Sequence, residues 1–92
     1  MNEQVKTTTS DQVTLPRDVI VKVNNHEVTF HEHKATGLQI KKTAISQKVP
    51  IQIDFALFEI KGHGQLKQIG DHETVTLHKG QAFRAVAPDD NS

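Results

Sequence analysis

Cysteine is absent from this 92-residue chain, and so are tryptophan and tyrosine. Without cysteine there is no disulfide scaffold, no thiolate zinc site and no cysteine nucleophile. Without Trp or Tyr, and with four dispersed Phe, no aromatic platform for stacking nucleic-acid bases is available. Neither charge sign dominates, since 11 Lys and Arg face 11 Asp and Glu. That balance, with no basic stripe, argues against nucleic-acid binding as the main role. No apolar run approaches the ~18 residues that span a bilayer, and no apolar stretch follows Met1. The expectation is a cytoplasmic protein with no membrane partner.

What is present fits one small domain with a compact core. Residues 1–17 are rich in Thr, Gln, Ser and Asp, with apolar residues only at Val5, Val13 and Leu15. Such a stretch buries too little surface to offset the entropy of ordering, which predicts a disordered leader over 1–17. Order is expected to begin at "DVIVKVNNHEVTF". Val19, Val21 and Val23 alternate with Asp18, Ile20 and Lys22, and Val28 and Phe30 alternate with Glu27, Thr29 and His31. Two alternating runs around Asn24-Asn25 predict a β-hairpin, since Asn tolerates the positive φ of such turns.

"KATGLQIKKTAISQK" predicts a short helix over about 37–45. Thr36 is the N-cap, Leu38, Ile40, Ala44 and Ile45 form the apolar stripe, and Lys41 and Lys42 face solvent. Gly37 weakens the first turn. "DFALFEIKG" and "GQLKQIG" read as third and fourth strands, "DHETVTL" as a connecting segment with Val75 and Leu77 in the core, and "QAFRAV" as a fifth strand. A strand after a helical crossover is often parallel to its neighbour, and the last strand completes the sheet by pairing with the first. The order β–β–α–β–β–β thus predicts an α+β fold, a mixed five-stranded sheet packed on one helix in the β-grasp arrangement. The expected buried set is Val21, Val28, Ile40, Leu57, Leu77 and Phe83.

Chemistry-bearing residues are sparse. His31 and His33, two apart, are expected on one strand face, while His63, His72 and His78 fall in later loops and turns; these do not make the three or four converging ligands a metal site needs. Ser10, Ser46 and Ser92 lack a partnering base, and "GHG" at 62–64 is a turn without a phosphate-loop pattern. The expectation is a protein that is not an enzyme and uses no metal or cofactor.

The stretches "VKVNNHEVTF", "ATGLQIKKTA" and "DFALFEIKGHGQLKQIGDHETVTLHKGQAFRAV", in that order, carry a resemblance over about residues 18–88. The chain resembles bacterial ubiquitin-like proteins of the multiubiquitin-domain family. The more specific elements are the Thr-Gly helix start and the spacing from "LFEI" to "ETVTLHKGQAF". The resemblance implies a ubiquitin-like β-grasp domain over 18–87 and a flexible tail over 88–92. It also implies a protein modifier, encoded beside its enzymes in a bacterial conjugation pathway. Its C-terminal carboxylate is activated by an ATP-dependent, adenylating enzyme and transferred to a target. The implied partners are that activating enzyme, a conjugating enzyme, a processing protease and the target protein.

Asp89, Asp90, Asn91 and Ser92 are then the conjugation tail. Pro88 cannot donate to a sheet ladder and favours release of the chain. The tail lacks the Gly-Gly end of ubiquitin, so either Ser92 is the reactive end or proteolytic trimming leaves Asn91 there. A noncovalent interaction module with an inert tail is the alternative, and a sulfur carrier a weaker third reading.

The third strand has apolar residues on both faces. Phe55, Leu57 and Glu59 share one, Phe58 and Ile60 the other, and the residues alone allow either to point inward. The resemblance places Phe55 and Leu57 inside. Phe58 and Ile60 then point outward with Ile20, Arg84 and Val86, as a patch for protein–protein interaction.

Overall fold

The computed structural model describes residues 18–88. The expected leader over 1–17 and tail residues Asp89, Asp90, Asn91 and Ser92 lie outside the described residues. The described chain opens with β1 (Val19–Val23) and β2 (His26–Phe30), followed by β3 (Lys34–Thr36) and helix α1 (Gly37–Ser46). After it come β4 (Ala56–Ile60), a 3₁₀ turn (Gly62–Gly64), β5 (Leu66–Ile69), β6 (Thr74–Thr76) and β7 (Ala82–Val86).

The five-stranded sheet has the order β2-β1-β7-β4-β5. β1 and β7 are parallel, and every other pairing in this sheet is antiparallel. The strand after the helix, β4, therefore runs antiparallel to its neighbour β7, although the pairing of last strand with first is as expected. This is the α+β, ubiquitin-like β-grasp arrangement, one helix packed on a mixed sheet. The β1–β2 hairpin turns through Asn24 and Asn25, both at positive φ (51° and 69°). Two such residues match the right-handed twist of the flanking strands.

Alternation puts Val19, Val21, Val23, Val28 and Phe30 inside, where they meet Leu57, Ile69, Phe83 and Ala85 from the other strands and Ile40 and Ala44 from α1. All six residues of the expected buried set are buried. Burying a valine, leucine or phenylalanine side chain contributes about 1.5–3 kcal/mol each. This core therefore supplies the main favourable term opposing chain entropy.

Helix α1 starts with a capping box. The Thr36 hydroxyl accepts from the Gln39 N–H (3.2 Å), and the Gln39 side-chain oxygen accepts from the Thr36 N–H (2.8 Å). The next two N–H groups donate to a loop: Gly37 to the Glu73 carbonyl and Leu38 to the Asp71 carbonyl, each at 3.1 Å. Four orphan donors at a helix start need such partners. The closeness of that loop explains Gly37, because a Cβ there would collide with the carbonyl oxygen of Gly70. At the other end Lys48 takes the left-handed conformation, φ 77°. Its N–H donates to the Ile45 carbonyl and that of Val49 to the Ala44 carbonyl, a Schellman closure.

Several expectations need correction. The segment "DHETVTL" is more than a connection: β6 pairs antiparallel with β3, Ala35 opposite Val75, as a separate two-stranded sheet. On α1 the buried residues are Gly37, Ile40, Lys41 and Ala44. That i, i+3, i+4, i+7 spacing is one helix face. Leu38 and Ile45 sit about 100° round the helix from it; Ile45 is 37% exposed and Leu38 intermediate. Lys41, expected in solvent, is 3% exposed, whereas Lys42 is exposed. His31 and His33 lie in the bend after β2 and are not on a strand.

Candidate functional site: the outward face of the sheet

Register decides which side of β4 faces the helix. Leu57 lies between Ala85 and Ile69, all buried. Phe58 lies between Arg84 and Gln68, both exposed. Period-two alternation then places Ala56, Phe58 and Ile60 outward and Leu57 and Glu59 inward. Phe55, just before the strand, is partly buried and packs against the core.

Glu59 is an acid on the inner face, at the end of the sheet. Its carboxylate accepts from the Gln81 side-chain amide at 2.9 Å, and Lys61 lies 3.6 Å away. Gln81 also accepts from the His78 N–H (3.0 Å), tying the loop before β7 to β4. With these partners the carboxylate is tolerated at 14% side-chain exposure.

Outward rows can be read across the sheet. Ile60 stands opposite Ala82 on one side and Leu66 on the other. Phe58 stands between Arg84 and Gln68, and Ala56 faces Val86. Phe58 and Ile60 are half-buried, and Leu66 and Val86 are 47% and 42% exposed. Of the residues grouped from sequence, Phe58, Ile60, Arg84 and Val86 form one continuous outward surface on β4 and β7. Ile20 is also outward, but its carbonyl accepts from Gly80 and it faces Thr29, so it lies at the opposite end of β7 from Val86. Gly80 and Val86 are six positions apart, a separation of at most about 20 Å along the chain.

Leu66 belongs to this surface and was missed from sequence. The signal was there: Leu66 and Ile69 are three apart, so on one strand they cannot share a face, and Ile69 is buried.

Several polar pairs tie segments of the domain together. Lys41 Nζ donates to the Phe55 carbonyl oxygen (2.8 Å) and pairs with Asp71 Oδ1 (2.9 Å), which satisfies a buried ammonium. Lys67 pairs with Glu73 at 2.7 Å, and the Gly70 N–H donates to the same carboxylate at 3.2 Å. The Lys67 hydrogen bond first, and then that from Gly70, hold the Glu73 carboxyl below its ordinary range. His31 Nδ1 lies 2.9 Å from Asp18 Oδ1. Among the described residues no three His, Asp or Glu converge to hold a metal ion, and no helix is long and apolar enough to cross a membrane.

At the edge of the outward face β7 leaves the sheet. Ala87 and Pro88 are exposed, and the chain continues as Asp89-Asp90-Asn91-Ser92. No curated protein and no solved structure matches the chain. The model of the Multiubiquitin family matches residues 19–89, the whole sheet and its helix. Fold and family model thus agree, and the chain belongs to the multiubiquitin family of ubiquitin-like domains.

Proposed function

We propose that this domain is a ubiquitin-like protein modifier rather than an enzyme, working in the cytoplasm where ATP is available. An adenylating enzyme activates its C-terminal carboxylate: the carboxylate oxygen attacks the α-phosphorus of ATP and pyrophosphate leaves. The acyl adenylate is captured by a nucleophile of the conjugation machinery with release of AMP, and the acyl group passes to the target protein. Asp89, Asp90, Asn91 and Ser92 form the conjugation tail. A processing protease exposes Asn91 if Ser92 is not itself the reactive end.

The observation that carries this reading is the placement of β7 in a domain of this family. β7 is held in the sheet by buried Phe83 and Ala85. It carries Arg84 and Val86 on the outward apolar surface and then leads directly into the polar tail. An activating or conjugating enzyme that grips Phe58, Ile60 and Arg84 therefore has the tail at hand. Fully extended chain covers at most about 3.3–3.6 Å per residue, so six residues could span at most about 20 Å.

A second reading, a noncovalent interaction module, is favoured by the outward surface alone, which needs no tail chemistry. Intact mass after incubation with ATP and the bacterial activating and conjugating enzymes separates the two. Covalent attachment that disappears on deleting Asp89 to Ser92 supports the modifier. Attachment that persists in the deleted chain, or binding through Phe58 with no covalent product from the intact chain, gives the module. Deleting Ser92 alone assigns the reactive end: lost activity points to Ser92, retained activity to Asn91.

A further inference from the structure

An edge strand exposes a row of unpaired N–H and C=O groups, a template for pairing with another chain. β2 is an edge of the five-stranded sheet. In its antiparallel pairing with β1, alternate residues turn both backbone groups toward β1 or both away from it. Thr29 is one that turns away. Its N–H donates to the Gln47 side-chain oxygen (2.9 Å), and its carbonyl accepts from the Gln47 side-chain nitrogen (2.8 Å). The Gln47 amide thus sits where the peptide group of an added strand would sit. Gln47 is the C-cap of α1, with its own N–H held by the Thr43 and Ala44 carbonyls, so its backbone is fixed. Both side-chain bonds are exposed to solvent. Between the β2 edge and α1 runs a groove of about 510 Å³ that includes Phe30, Ala35 and Thr43 in its walls.

We infer that Gln47 is a lock on the β2 edge, and that the strand it excludes is β2 of a second copy of this chain. The sequence of the edge is complementary to itself about Thr29. In antiparallel pairing on a two-fold axis through Thr29, the Thr29 residues exchange N–H and C=O with each other. Val28 then stands opposite Phe30 of the second copy, apolar against apolar. Glu27 stands opposite His31, and both are exposed. His31 lies in the bend just past the end of β2, so the ladder is centred on the Thr29 pair. The pairing would join two five-stranded sheets into one, and it is independent of the outward patch and of the tail.

The test is the oligomeric state of the full chain with the lock removed. Sedimentation equilibrium from micromolar to millimolar concentration should show Q47A associating to a dimer at least about tenfold more tightly than the unaltered chain. Thr29→Pro in the Q47A background removes the outward N–H at an edge position where proline is tolerated, and should restore the monomer. Glu27→Lys in that background should weaken the dimer by removing the charge opposite His31. If Q47A does not fold, Gln47→Glu serves in its place, since it sets a carboxylate against the Thr29 carbonyl and breaks half of the lock. Two results overturn the inference: a folded lock variant that stays monomeric although its Thr29 amide exchanges faster, or a dimer that survives Thr29→Pro. A monomeric lock variant whose Thr29 amide is protected by an added extended peptide also overturns it, because the opened edge would then take a foreign strand.

Discussion

Asn24 holds Ala85 as a strand would. The Asn24 side-chain nitrogen donates to the Ala85 carbonyl (3.1 Å), and the Ala85 N–H donates to the Asn24 side-chain oxygen (2.9 Å), across 61 residues of chain. β1 has ended at Val23, one residue before, while its parallel partner β7 continues to Val86. The amide fills the place of the missing peptide. Asn24 therefore serves the turn through its φ of 51° and the sheet through its side chain.

Asn24→Ala should lower stability by about 1–3 kcal/mol, because it leaves two part-buried backbone groups of Ala85 without partners. Urea unfolding checks this. Asn24→Asp should also lose stability, since a carboxylate accepts from the Ala85 N–H but repels its carbonyl. An Asp variant as stable as the parent would show that the turn conformation alone is what Asn24 supplies.

Gly37→Ala separates propensity from packing. Helix propensity alone predicts a gain of about 1 kcal/mol. The Gly70 carbonyl stands where the new Cβ would go, so the expected outcome is a loss of about 1–3 kcal/mol, in the range of overpacked sites. The sign of the change in melting temperature decides it.

Lys41 and Lys42 should differ sharply under an amine-reactive reagent. Lys42 is exposed and should be modified first, while Lys41, 3% exposed and held by Phe55 and Asp71, should be protected until unfolding. Peptide mapping of the labelled protein reads this directly. Asp71→Ala should cost about 1–3 kcal/mol, less than breaking a fully buried pair, since Asp71 is 49% exposed and solvent shares its charge.

Glu73 should make stability fall in acid. Its folded carboxyl lies below the ordinary value of 4.5 because of Lys67 and the Gly70 N–H. A depressed carboxyl stabilises the fold above the unfolded value, and that contribution drains away as pH falls through the folded one. Urea midpoints followed from neutral pH down past 4.5 should therefore decline less steeply for Glu73→Gln than for the parent. Parallel curves would exclude the role.

Leu57→Ala should cost about 2–5 kcal/mol, a large part of the stability of so small a domain. Phe58→Ala, one residue along, should cost less, because Phe58 is half-buried on the outward face. The same pair of variants separates core from patch. Loss of enzyme or partner binding with retained stability is the expected result for Phe58, and a stability loss equal to that of Leu57 would place it in the core.

By itself the sequence determined whatever depends on near neighbours. The valine alternation of β1 marks a strand with one buried face, because side chains on a strand repeat every two residues. Asn24-Asn25 marks the turn, because Asn accepts positive φ, and Thr36 marks the helix start, because its hydroxyl reaches the N–H three residues on. Those signals, with the apolar positions at Ile40, Leu57, Leu77 and Phe83, were enough for the order of the main elements and the centre of the core. The tertiary structure alone decided what depends on groups distant in sequence. Lys41 looks like a solvent lysine until the 70–73 loop brings Asp71 beside it. β3 and β6 are three residues each, too short for a periodic signal, and exist as strands because they lie against each other. Gly37 looks like a weakness in a helix until Gly70 approaches it. Asn24 and Gln47 take on their second roles only where another strand's backbone runs out of partners. Local pattern records what a residue prefers, whereas the hydrogen bonds and collisions that fix these five features arise between segments that meet only when the chain has folded.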